Sequence, residues 1–81
     1  MTRKVRSVPL LFNFKHFGNV CLACRKEHGY TQAEVAHLIE MSNSAISDIE
    51  TAAHGNALMS TVIALANLYD LDIREFYELG D

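Results

Sequence analysis

Between Thr31 and Thr51 large apolar residues recur at spacings of three and four: Val35, Leu38 and Ile39, then Ile46 and Ile49. Such spacing predicts two amphipathic helices. Thr31 with Glu34 three positions on is a capping-box pair, so the first helix starts at about Gln32. Ala36 is small and lets a second helix cross closely. Ser42 is a good N-cap for that second helix, about Asn43 to Thr51. The turn between them holds Glu40, at a place where a left-handed backbone favours glycine. The same periodicity predicts a helix from about Phe17 to Glu27, stopped at Gly29, and another from about Met59 to Tyr69 with Val62, Leu65, Ala66 and Tyr69 inward. A short fifth helix, Ile73 to Glu78, is capped by Asp72 with Glu75 at the box position. Residues 1–16 form an arm or extension before a domain at 17–81. Their run Val8-Pro9-Leu10-Leu11-Phe12-Asn13-Phe14 fits an arm, a short strand or a segment packed on the domain.

The expected fold is therefore all-α, a compact bundle of five helices. A chain of 81 residues supports one ordinary core. A hydrophobic share of 49% argues against disorder, and one proline suits a helical bundle. No apolar run approaches the ~20 residues that span a bilayer. The basic start Met1-Thr2-Arg3-Lys4 leads into an apolar stretch too short for a secretory signal, so a cytoplasmic location is expected.

Several segments, taken in order, carry a family resemblance. Tyr30-Thr31-Gln32, Val35-Ala36 and Ile46-Ser47-Asp48-Ile49-Glu50 resemble the phage-repressor-like helix-turn-helix regulators, the XRE family. Leu65-Ala66-Asn67-Leu68-Tyr69 and Asp72-Ile73-Arg74-Glu75-Phe76 resemble that family's fourth and fifth helices. The likeness covers about Val20 to Tyr77. The loop from Thr51 to Ala57 is one residue longer than the family pattern and lacks its proline. The resemblance implies a sequence-specific transcriptional regulator, with Asn43 to Thr51 as the recognition helix in the major groove. It also implies that Gln32 holds phosphate and braces that helix. It further implies a structural pair between Arg25, late in helix one, and Glu50, closing helix three.

Charge complicates the DNA reading. Residues 1–30 hold six basic side chains against Glu27, a net of +5; residues 31–81 hold Arg74 against nine carboxylates, a net of −8. DNA affinity usually rests on Lys and Arg against phosphate. The recognition helix has no basic residue and carries Asp48 and Glu50. Two readings follow. In one, helix N-termini and the basic arm Arg3, Lys4 and Arg6 meet double-stranded DNA, the arm in a minor groove. In the other, the fold is a protein-interaction module, antitoxin-like or an anti-regulator, whose acidic half meets a protein partner.

The candidate readers open the recognition helix. Asn43 can make two hydrogen bonds to adenine, Ser44 is unselective, and Asp48 can accept from a cytosine amine. Ser42 caps first and contacts phosphate second. Thr51 and His54 are weaker phosphate candidates. Leu71, Ile73, Phe76, Tyr77 and Leu79 exceed what a short last helix buries alone, so they are candidate homodimer contacts or, equally, ordinary core. A two-fold dimer reads an inverted repeat with half-sites ~34 Å apart. Cys21, Cys24 and His28 share a helix face, but no fourth ligand is evident. Both cysteines fall where apolar residues belong, which favours reduced core thiols over a metal site. No nucleophile with its base and no Gly-rich phosphate loop marks an enzyme, and no cofactor is implied.

Overall fold

The computed structural model describes residues 10–53 and 57–79, with side chains described for 12–53 and 57–77. Among these, strand β1 (Leu10–Phe12) leads into helices α1 (Phe14–Glu27), α2 (Gln32–Leu38), α3 (Asn43–Thr51) and α4 (Met59–Leu68); a 3-10 turn (Ile73–Phe76) and strand β2 (Tyr77–Leu79) follow. The fold is the expected helical bundle with two corrections. The fifth helix is only a four-residue 3-10 turn, and a two-stranded ribbon closes the chain.

Local chemistry explains both. The Asp72 side chain accepts from the Arg74 amide at 2.9 Å, and Glu75 accepts from the Asp72 amide at 3.2 Å. That box nucleates one turn, but Phe76 must then enter the core, where it is fully buried. Tyr77 becomes extended and pairs antiparallel with Phe12, in the register Leu10↔Leu79, Leu11↔Glu78. Helix α1 starts at Phe14, before the expected Phe17, because the Asn13 side chain accepts from the Lys15 and His16 amides at 2.9 and 3.1 Å.

All four helices end alike. A left-handed residue stands past the last turn: Gly29 (φ 75°), Glu40 (φ 58°), Ala52 (φ 55°) and Asp70 (φ 54°). The next amide then reaches back five residues, as in Met41 N–H to Ala36 at 2.8 Å and Leu71 N–H to Ala66 at 2.8 Å. The Glu40 position behaves as the turn requires despite lacking glycine.

The core gathers Phe17 and Cys21 from α1, Val35 and Ala36 from α2, Ile46 from α3, Val62, Leu65 and Ala66 from α4, and Tyr69 and Phe76 beyond it. Gly18 lets α1 and α3 touch, since a Cβ there would sit 2.4 Å from the Ile49 carbonyl oxygen. The ribbon is held by rings. Phe12 lies 4.9 Å from Phe14, 5.3 Å from Phe17 and 5.0 Å from Tyr77, centroid to centroid. Among the described residues, no helix is long and apolar enough to cross a membrane.

Candidate nucleic-acid interface

The site is built on α2 and α3. Thr31 caps α2 through a reciprocal box: its hydroxyl accepts from the Glu34 amide at 3.1 Å, and Glu34 accepts from the Thr31 amide at 2.8 Å. Ser42 caps α3 by accepting from the Ala45 amide at 3.1 Å. Ile46 pins the inner side of α3 in the core. The outer side therefore shows Asn43 and Ser44 exposed in the first turn, then Ser47 and Asp48 half-exposed, then Thr51 exposed.

Behind this surface lies an ionic brace. Arg25 donates from Nε to Glu50 Oε2 at 2.7 Å and from Nη2 to Oε1 at 3.1 Å. Its Nη1 also donates to the Tyr30 carbonyl at 2.9 Å. Gln32 Nε2 donates to Glu50 Oε1 at 3.0 Å. The Glu50 side chain is only 2% exposed and that of Arg25 14%. One carboxylate thus joins α1, α2 and α3 and fixes the tilt of α3. The hydrogen bond to Glu50 raises the pKa of the Arg25 guanidinium, so it stays charged. Glu50 consequently does not count against DNA on the outer surface, because its charge is buried and paired.

The sequence candidates divide. Gln32 and Asn43, Ser44 and Asp48 lie on the two adjoining helices. Arg25 and Glu50 form the brace behind them. Thr51 donates its hydroxyl to the Ser47 carbonyl at 2.9 Å, so a phosphate contact through that proton must give up this side-chain bond. Arg3, Lys4, Arg6 and His54 lie outside the described residues. Ser47 was missed; its spacing of three from Ser44 was the available signal. The Tyr30 carbonyl was missed too, for want of any side-chain signal.

Phe76 corrects the dimer expectation. It is 0% exposed, with its ring 4.6 Å from that of Phe17, so it has no surface to offer a second copy. Leu71, Ile73 and Tyr77 are partly buried against the same core. Cys21 and Cys24 are free thiols. Burial pushes both upward from the usual thiol range, with Glu50 adding to the effect at Cys21. Among the described residues, no three His, Cys, Asp or Glu side chains converge as a metal-binding group.

Two short helices crossing through Val35, Ala36 and Ile46, with a polar outer surface on the second, define a helix-turn-helix domain. The family model described as helix-turn-helix matches residues 22–76. The chain belongs to this family, the XRE-type helix-turn-helix proteins, which are DNA-binding transcription regulators. Solved structures share the fold. One is the restriction-modification controller protein C.AhdI from Aeromonas hydrophila, at 24% identity and TM-score 0.70, covering 78% of this chain and 94% of that one. Another is SinR, a master regulator for biofilm formation solved with DNA, whose DNA-binding domain is also known from Bacillus subtilis; it shows 23% identity and TM-score 0.69, covering 74% and 95%. The fold also recurs within hydroxypropylphosphonic acid epoxidase from S. wedmorenis, at 13% identity and TM-score 0.73, covering 83% of this chain but 35% of that one. Among curated proteins, none is similar enough to this chain to count as a relative.

Proposed function

We propose that this chain is a cytoplasmic, homodimeric transcription regulator that reads an inverted-repeat operator. The observation carrying this reading is the braced recognition helix. Asn43 and Ser44 stand exposed at the start of α3, while Glu50 at its far end is clamped by Arg25 and Gln32. A helix held at that angle presents its first turn to base edges. Gln32 sits beside it at the start of α2, where it braces Glu50 and, as the family resemblance implies, holds phosphate. Asn43 then selects adenine, and Asp48 a cytosine amine. Basic Arg3, Lys4 and Arg6 supply attraction to phosphate that α3 lacks. Two proteins of this fold, C.AhdI and SinR, are regulators by their descriptions, and SinR was solved with DNA.

The test is selection from a randomised duplex pool at low salt. An enriched inverted repeat is expected, and Asn43→Ala should relax one base position. Unchanged sequence preference in Asn43→Ala sinks the assignment of the recognition helix. Arg3→Ala or Lys4→Ala should weaken all duplexes alike and flatten the salt dependence. The absence of Lys and Arg from Asn43–Thr51 favours a second reading, a protein-interaction module using the acidic half. That reading predicts no enriched duplex from a folded protein.

A further inference from the structure

Tyr69 puts a phenol where the fold asks only for an apolar side chain. It closes α4, its amide bonded to the Leu65 carbonyl at 3.0 Å, and it is 3% exposed. Its hydroxyl is buried and makes no hydrogen bond among the described residues. A phenylalanine would fill the same space without a polar atom to satisfy, so the hydroxyl calls for a reason.

Its surroundings supply one. Cys21, Arg25 and His28 follow at spacings of four and three, so they share one side of α1 and its cap. Tyr69 shares the core with Cys21, and its ring lies 5.5 Å from that of His28. The phenol therefore lies alongside Arg25, the residue between them, which grips Glu50. Electrostatics group the same side chains. Burial raises the phenol above the ordinary tyrosine range, Cys21 and Glu50 add to this, and Arg25 opposes it.

Glu50 carries the matching half. Its carboxylate accepts three hydrogen bonds: Arg25 Nε on Oε2, and Arg25 Nη2 and Gln32 Nε2 on Oε1. A carboxylate has room for about four. The free chain thus keeps an unused donor and an unused acceptor place, on Oε2, in one buried neighbourhood. DNA reaches this neighbourhood through Gln32. A phosphate held there draws on the amide that serves Oε1 and sets a second anion near the carboxylate. Glu50 then gains from a further donor, and only in the complex.

We propose that Tyr69 is a positioning residue for the recognition helix, its hydroxyl donating to the Glu50 carboxylate when DNA seats α3. The proposal rests on the DNA reading above and on the phosphate role of Gln32. A bond made only in the complex strengthens binding without stabilising the free chain.

Tyr69→Phe separates these two effects. Urea titration of the free variant should give a midpoint equal to or above that of the wild type, since an unbonded hydroxyl is lost. Fluorescence anisotropy on the selected duplex should nevertheless show a dissociation constant raised about tenfold. An unrelated duplex, in which α3 is not seated on bases, should bind both proteins alike. In NMR spectra of the wild-type complex a tyrosine hydroxyl proton should persist, missing from the free chain and from the Tyr69→Phe complex. A lowered urea midpoint overturns the proposal, because the hydroxyl is then already bonded in the free chain. An unchanged dissociation constant on the selected duplex overturns it too, and leaves the DNA reading standing. A wild type that binds no duplex overturns both.

Discussion

Arg25→Met isolates the brace behind the recognition helix. Methionine keeps most of the side-chain stem and removes the guanidinium. Glu50 Oε2 then loses its partner at 2.7 Å, while Oε1 keeps Gln32 at 3.0 Å. With its side chain 2% exposed, the carboxylate is left charged in a site water barely reaches. Breaking a buried pair from one side costs about 3–5 kcal/mol. The retained Gln32 bond and the partial exposure of Arg25 place this case at the lower end, about 3 kcal/mol. For a domain of this size that lowers the melting temperature by roughly 12–24 °C. Arg25→Met/Glu50→Leu removes both charges, and should return to within about 1 kcal/mol of wild type. Urea titrations of the four proteins give the coupling, expected at about 2–3 kcal/mol. A single-variant loss below about 1 kcal/mol, the size of a surface pair, refutes the reasoning. So does a double variant whose loss equals the sum of the singles.

Three further outcomes follow from the fold. Gly18→Ala places a methyl 2.4 Å from the Ile49 carbonyl oxygen, a backbone atom, and should cost about 2–3 kcal/mol in urea titration. Ala52→Gly relieves a left-handed alanine at φ 55° and should gain about 0.5 kcal/mol by the same titration, after allowing for the looser unfolded chain. The Arg74 hydrogen bond lowers the Asp72 carboxyl from 3.8 to about 2. A lowered carboxyl stabilises the fold above its unfolded value and loses that contribution as the pH falls. The Arg74 amide resonance should therefore hold its folded position down to about pH 3 and shift with a midpoint near pH 2, a change absent in Asp72→Asn.

The helix pair was readable because its signals are local. Thr31 with Glu34 and Ser42 with Ala45 lie within one turn, and the apolar spacing of Val35, Ile46 and Ile49 needs no distant partner. The ribbon was not readable, because Phe12 and Tyr77 are extended only by virtue of each other and the aromatic rings between them. Phe76 misled for the same reason. Its sequence neighbours do not reveal that Phe17 awaits it. Helix ends at Glu40, Ala52 and Asp70 carry no glycine, so tertiary packing supplies what the residue type does not. At the candidate interface the family resemblance gave Asn43 to the outer surface and Glu50 to the pair with Arg25, but no residue type signals that the Tyr30 carbonyl joins the brace. The inward turn of Glu50 depends on Arg25 and Gln32, contributed by two other helices.

Pairing Leu10 with Leu79 ties the start of the described chain to its end. Closing so long a loop costs entropy that only the finished helical body repays, though each doubling of length adds merely about 0.6 kcal/mol. Helices α2 and α3 can dock through near neighbours, whereas the ribbon must wait for the whole chain between. The ribbon should therefore be the last element to close and the first to open, and hydrogen exchange should find the Leu10–Phe12 and Tyr77–Leu79 amides the least protected of those in regular structure.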